Sequence, residues 1–393
     1  MSDYGSPGRG LAPVWHRPMT ARDRSQPHRA ATPLELFFDL VFVVAVAQAA
    51  AGLHHAVAED HTGEGVLRYA MVFFAIWWAW MNFTWFASAY DTDDIPYRLA
   101  VFVQMSGALV LAAGVPRAME HGDFTIGTLG YVIMRLAAVP QWLRAAHSDP
   151  PRRRSALRFA VGIVIVQVCW VLRLLLPAPW GVPGFAVLTA GELLIPVIAE
   201  RAAPTTWHPH HIAERYGLFT IIVLGESILS ASLAVQSAVD SDVAFGDLAT
   251  TAVGGLLVVY TMWWIYFAKP PERLLRSLRA SLTWGYGHYF IFGSAAAVGA
   301  GLALSVDHAV GETHVGERAA AWSLTIPVAL YVLTVWVLHL RPHHTGFLHG
   351  AVFPVTVLLV LAATFTGQPV LITGLVMVAT VAVSVLIALR KLR

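Results

Sequence analysis

Stretches of mainly apolar residues near the length that spans a bilayer recur along the whole 393-residue chain, and little else can be built from such a pattern. A helix needs about 20 such residues to cross the hydrocarbon core. Candidate spans run at about Leu36 to Ala58, Arg68 to Ala89, Tyr97 to Met119, Phe124 to Ala145, Leu157 to Leu176 and Val182 to Ala199. Six more run at about Ala213 to Ala238, Leu248 to Ala268, Thr283 to Leu304, Trp322 to Leu340, His349 to Phe365 and Gln368 to Leu389. Composition agrees, because 13% of residues are charged where soluble domains carry roughly 25%. The expected fold is all-α, a polytopic bundle of about twelve transmembrane helices whose first partner is the lipid bilayer. A lone cysteine, Cys169, excludes an intramolecular disulfide or a cysteine-based zinc site. Residues 1–34, rich in Arg, Pro, Ser and His, read as a disordered cytoplasmic tail without the apolar core of a signal peptide.

Lys and Arg collect on cytoplasmic loops, which tests the count of spans. With the amino terminus inside, 21 Lys or Arg fall on cytoplasmic segments, Arg215 among them, and only Arg68, Arg117 and Arg318 fall outside. Both termini are therefore expected in the cytoplasm, and the membrane is expected to be the plasma membrane. The arginines sit at helix ends and make no single basic face, so no nucleic-acid partner is expected. The halves also echo each other. Trp77-Trp78 and Trp263-Trp264 are 186 residues apart, and that offset brings Asp39 to within one residue of Glu226. Two six-helix repeats, 35–200 and 201–393, would both enter from the same side and so be parallel.

An ionisable group near the bilayer centre costs about 2.5 to 3.5 kcal/mol on insertion scales, so each needs a reason. Arg135, Glu192 and Glu226 sit midway along their spans, and His288 lies inside the ninth. Glu35 and Asp39 are four apart and share a helical face. One reading makes Glu226 and Asp39 counterparts along a polar path between the halves, with Arg135 as a counter-charge or anion site. The other pairs Arg135 with Glu192 or Glu226 as structural neutralisation.

Acids concentrate at Asp91, Asp93 and Asp94. A hydrated cation is one reading. The favoured one makes Asp94 the cap of the third span, Pro96 its first turn and Arg98 the i, i+4 partner of Asp94. Histidines at 208, 210, 211, 339, 343, 344 and 349 read as interfacial rather than as ligands, and no metal or other cofactor is expected. The Trp-rich runs at 77–86 and 262–267 read as aromatic belts at the membrane interface.

Three segments carry a resemblance: "PLELFFDLVFVVAVAQ" at 33–48, "YDTDDIPYRLAVFVQM" at 90–105 and "ERYGLFTIIVLGESIL" at 214–229. In that order they resemble the bacterial low temperature requirement protein A family, from about residue 30 to the carboxyl terminus. The positions that match are Glu35, Leu36, Phe37, Phe38, Asp39, Asp91, Asp94, Arg98, Glu214, Gly225, Glu226 and Ser227, and "YGHYF" around His288 is similar too. The resemblance implies a polytopic membrane protein and supplies no reaction. "FFD" opening the first helix is also similar to the lysosomal potassium channel family, but Pro33 and Phe38 stand where its Arg and Ser would be. The expected function is transport of a small solute or ion between the two halves, with Glu226 as proton-coupling acid. An ion channel, or a membrane enzyme using the cytoplasmic histidines, is the alternative.

Overall fold

The computed structural model describes residues 15–23, 26, 29–239, 245–275, 277–343 and 347–390. Among them no strand forms, and twelve helices follow in order: α1 Pro33–Ala58, α2 Thr62–Tyr90, α3 Ile95–His121, α4 Thr125–Ser148, α5 Arg153–Arg173 and α6 Ala178–Glu200. The remaining six are α7 Pro209–Val239, α8 Phe245–Phe267, α9 Leu278–Val310, α10 Glu317–Val335, α11 Phe347–Ala363 and α12 Pro369–Arg390. Ten of the helical segments are long and apolar enough to cross a membrane. Helix α4, which carries Arg135, and the short α11 are not among them.

Local chemistry sets the helix starts. Thr32 caps α1 through a capping box in which its hydroxyl accepts from the Glu35 amide while Glu35 accepts from the Thr32 amide, with Pro33 in the first turn. Asp94 caps α3 by accepting from the Tyr97 amide at 2.9 Å, and Pro96 occupies the first turn, both as the sequence indicates. Gly122 and Gly311 end α3 and α9 in the left-handed conformation that glycine tolerates. Where α3 and α4 cross, a Cβ on Gly130 would lie 2.2 Å from the Leu111 amide nitrogen, so the backbones meet directly.

Most helices pack on near neighbours in the chain, α1 on α2 and α3, α3 on α4, α4 on α5 and α5 on α6, while α8 packs mainly on α12. Then α7 packs on α8 and α9, α9 on α10, α10 on α11 and α11 on α12. Contact between the two groups is made where α1 and α2 meet α7 and α9. The core there is aromatic, with Trp77, Trp78, Trp80, Phe219 and Phe292 at 1% exposure or less. Trp80 stacks on Phe219 at 4.4 Å between ring centres.

The described part of the tail has no helix, yet it is not free of the bundle. Met19 is fully buried, the Arg22 amide donates to the Ala89 carbonyl at 3.0 Å, and the Arg29 guanidinium donates to the carbonyls of Ala87 and Ser88 at the end of α2. The Ala87 carbonyl also accepts from the Asp91 amide, and the Ser88 carbonyl lies in the last turn, where a guanidinium is a fitting cap. The expected disorder thus does not extend to these residues, and residues 1–14 lie outside those described.

Candidate functional site

The three segments that carry the family resemblance are far apart in sequence and come together at the end of the bundle where α1 begins. Glu35 and Asp39 project from consecutive turns of α1 toward the start of α7. There Arg215, which is fully buried, spans both. Its Nε and Nη2 donate to the two oxygens of Asp39 at 3.1 and 2.5 Å, and its Nη1 lies 3.1 Å from Glu35 Oε1. Trp80 Nε1 donates to Asp39 at 2.7 Å, and the Phe83 ring lies 5.6 Å from the guanidinium carbon. One turn earlier on α7, His211 Nε2 approaches Glu35 at 3.1 Å. Arg29 of the tail closes the group, 3.9 Å from both Glu35 and Asp91.

A buried fork-to-carboxylate pair is costly to break, because the partner left behind has no water to turn to. Arg215 and Asp39 are each at 0% exposure. The arrangement sets two acids against one fixed cation, with Arg29 as the second, and ties α1 to α7. The charge bias places Arg215 in the cytoplasmic positive set, and His208 and His211 at the interface; all three are buried instead. His208 is held by protein groups on two sides: its amide donates to Ser88 Oγ at 2.9 Å and its Nε2 lies 2.8 Å from the Gln26 carbonyl. The sequence did carry a signal for Arg215, because two acids four apart in an apolar helix demand a cation at equal depth.

Asp91 sits outside the helices, its side chain almost wholly enclosed. Burial pushes its carboxyl up and the Glu35 charge adds to this, while Arg29 and Arg22 pull it back, leaving it at about 6. A carboxyl raised on folding holds its proton more tightly in the folded chain, so it favours folding at low pH and this contribution fades as pH rises from 3.8 to about 6. Asp91→Asn is expected to flatten that part of the profile. Thermal midpoints of both proteins at pH 4.5 and 7 check it, with wild type losing more than Asp91→Asn on going up; an equal loss in both would reject it.

Asp94 faces another way, toward the Arg144 guanidinium of α4 at 2.5 Å and the Arg17 amide at 2.8 Å. These donors hold its carboxyl below the usual range despite burial. The expected Asp94–Arg98 pair does not form, because the turn directs Asp93, with φ of 48°, to Arg98 at 2.7 and 2.8 Å. Among the described residues no group of three or more His, Cys, Asp or Glu gathers as metal ligands would. His344 lies outside the described residues, as do the side chains of His343 and His349.

Arg135 and Glu192 form a second buried centre, 3.1 Å apart, between α4 and α6. Glu192 also accepts from Tyr131 at 2.7 Å, Trp78 and Gln167 at 2.9 Å and Trp170 at 3.3 Å. Five donors on one carboxylate satisfy it fully, so the geometry pairs Arg135 with Glu192 and not with Glu226. Trp78 and Trp80 are therefore not belt residues; their indole N–H groups serve Glu192 and Asp39 inside the core. Trp263 and Trp264, at 47% and 52% exposure, do face outward.

A third centre joins α9 to the end of α10. His288 Nδ1 meets the Trp284 carbonyl at 2.7 Å, and its Nε2 lies 3.0 Å from Tyr266 Oη and 3.2 Å from His339 Nε2. Residues Trp336–Leu340 form a π-helical turn that carries His339 inward. His339 is 1% exposed, not interfacial.

Glu226, three turns along α7 from Arg215, is 5% exposed. Its Oε1 accepts from Ser230 at 2.8 Å, and among the described residues its Oε2 has no hydrogen-bond partner and no basic side chain is paired with it. Of the other matched positions, Ser227 donates to Val223 and Ala295 carbonyls, and Phe38 stacks on Phe83 at 3.8 Å. Glu214 is half-buried, while Phe37 and Gly225 face outward.

A bundle of long apolar helices whose interior carries matched charges defines a multi-pass α-helical membrane protein. A family model described as bacterial low temperature requirement A protein matches residues 30–389, and the chain belongs to that family. It is also similar to a protein of Rhizobium meliloti (strain 1021) described as uncharacterized, 27% identical across 96% of this chain and 94% of that one.

Proposed function

We propose that the protein is a plasma-membrane transporter that moves a small solute or ion along a polar path between two parallel six-helix repeats, 35–200 and 201–393, with both termini in the cytoplasm. The helix packing supports the repeat reading. The contacts of α1 with α2, α1 with α3, α3 with α4, and α5 with α6 recur six helices later as α7 with α8, α7 with α9, α9 with α10, and α11 with α12, while the close packing of α8 on α12 has no counterpart of similar extent between α2 and α6. On this reading α1 and α7 are equivalent helices meeting at the centre, and Arg215 with Glu35 and Asp39 is an ion-paired closure at the cytoplasmic end.

The observation that carries the proposal is the state of Glu226. Among the described residues, Glu35, Asp39, Asp91, Asp94 and Glu192 each have a cation, and Glu226 has one hydroxyl. No described group uses its charge, so we read the charge as retained for something else, and a buried acid with no counter-ion among the described residues is suited to binding and releasing a proton. Asp39, held by Arg215, is not its counterpart in this conformation.

Flux of ions and small solutes into liposomes, with and without a pH gradient, tests the reading. Glu226→Gln is expected to leave folding and insertion intact and to abolish the gradient-driven flux. Full gradient-driven flux in that variant would remove Glu226 from the mechanism, and a conductance beyond carrier rates in planar bilayers would make the path a channel.

A further inference from the structure

At the end of the bundle away from the tail, α1, α2, α9 and α10 surround a chamber of about 560 Å³, within the ~300–1,000 Å³ typical of small-ligand sites. Its floor is made of small residues, Ala297, Ala300 and Gly301 among them. Its rim includes Val66, Phe290, Ile326 and Leu330, each between 38% and 51% exposed on the apolar outer face of the bundle. The chamber therefore opens sideways, toward hydrocarbon.

The hydroxyl groups along its wall are already committed to the helices themselves. Tyr69 donates to the Gly293 carbonyl at 2.6 Å, Tyr289 to Ala70 at 2.8 Å, Ser294 to Phe290 at 2.5 Å and Ser323 to Ala320 at 2.6 Å. Polar residues are thus present while the surface they leave is apolar, and water would find few partners there. At the mouth, where Thr62 begins α2, the chemistry changes. His54 in the last turns of α1 and Asp307 in the last turn of α9 meet at 2.7 Å and keep 28% and 23% of their side chains exposed. From Ala319 to Leu330 the wall follows α10 for about 16 Å, roughly half the ~30 Å hydrocarbon thickness.

An apolar slot one leaflet deep, open to the bilayer and headed by an accessible, hydrogen-bonded polar pair, has the form of an amphiphile. We infer that the chamber binds one acyl chain of a membrane phospholipid, with His54 and Asp307 facing its headgroup. Binding of this kind does not depend on the transport reading and can be tested apart from it.

The test uses the purified protein in phosphatidylethanolamine and phosphatidylglycerol liposomes containing a phosphatidylethanolamine with a diazirine midway along one acyl chain. After photolysis, peptide mass spectrometry is expected to find label concentrated near Phe290, Ile326 and Leu330 over Leu358, a lipid-exposed residue on α11. Ala297→Phe fills the floor, and Ile326→Trp narrows the opening at a position that is 51% exposed. Each is expected to lower chamber labelling about ten-fold through the loss of buried methylene contacts. Label spread evenly between the chamber and Leu358, or unchanged in Ile326→Trp, would overturn the inference.

Discussion

Arg215→Met is expected to be among the most destabilising single substitutions in the chain. Methionine fills much of the space and leaves the Phe83 contact apolar, so packing changes little. What remains is Glu35 and Asp39, enclosed and close together, with Arg29 as the cation left nearby among the described residues and the His211 imidazole beside Glu35. Breaking one side of a buried ion pair costs about 3–5 kcal/mol, because the surviving charge is left desolvated. The double variant Arg215→Met with Asp39→Asn is expected to recover a large part of this loss, since Asn keeps an acceptor for Trp80 and removes the stranded charge. Asp39→Asn alone should be milder than Arg215→Met. The check is the thermal midpoint of all three in one detergent, followed by tryptophan fluorescence. Additive losses in the double variant would mean that the pair seen between α1 and α7 is not the source of the stability.

The same pair shows where reading the sequence reaches its limit. The helices were legible because the bilayer imposes a length of about 20 apolar residues and allows little else. The cap of α3 was legible because Asp94 and Pro96 act within one turn. The exchange of Arg98 from Asp94 to Asp93 was not, since it depends on the left-handed turn at Asp93. Arg215 escaped for a different reason. A charge-bias argument assigns depth by proximity to a helix end, and Arg215 lies in the second turn of α7, where depth alone suggests headgroups. Its carboxylate partner is 176 residues away, and only the contact of α1 with α7 removes it from water. Trp78 and Trp80 failed similarly, because a belt argument reports how deep an indole sits and not which face of the helix bears it. Arg135 with Glu192 succeeded as one of two readings because both lie at mid-span, where an uncompensated charge has no alternative to pairing.

Glu192→Ala is expected to match Arg215→Met in effect and to be harder to rescue. The substitution strands Arg135 at 3% exposure and removes the acceptor for Tyr131, Trp78, Gln167 and Trp170. Loss of the ion pair accounts for about 3–5 kcal/mol, and each buried donor left without an acceptor adds about 1–3 kcal/mol before any relaxation or water entry. Arg135→Leu combined with Glu192→Ala cures only the first of these, so partial recovery is expected, in contrast to the Arg215 and Asp39 pair. Glu192→Gln separates the two contributions further. Its amide carbonyl still accepts, but its NH2 must face at least one of the existing donors, so the loss should fall between wild type and Glu192→Ala. Because Trp78 and Trp170 touch this carboxylate, their emission should shift in every variant even below the melting range. A Glu192→Ala protein with an unchanged midpoint and unchanged emission would show that these five donors find other acceptors, and that the carboxylate in the middle of α6 is not what holds them in place.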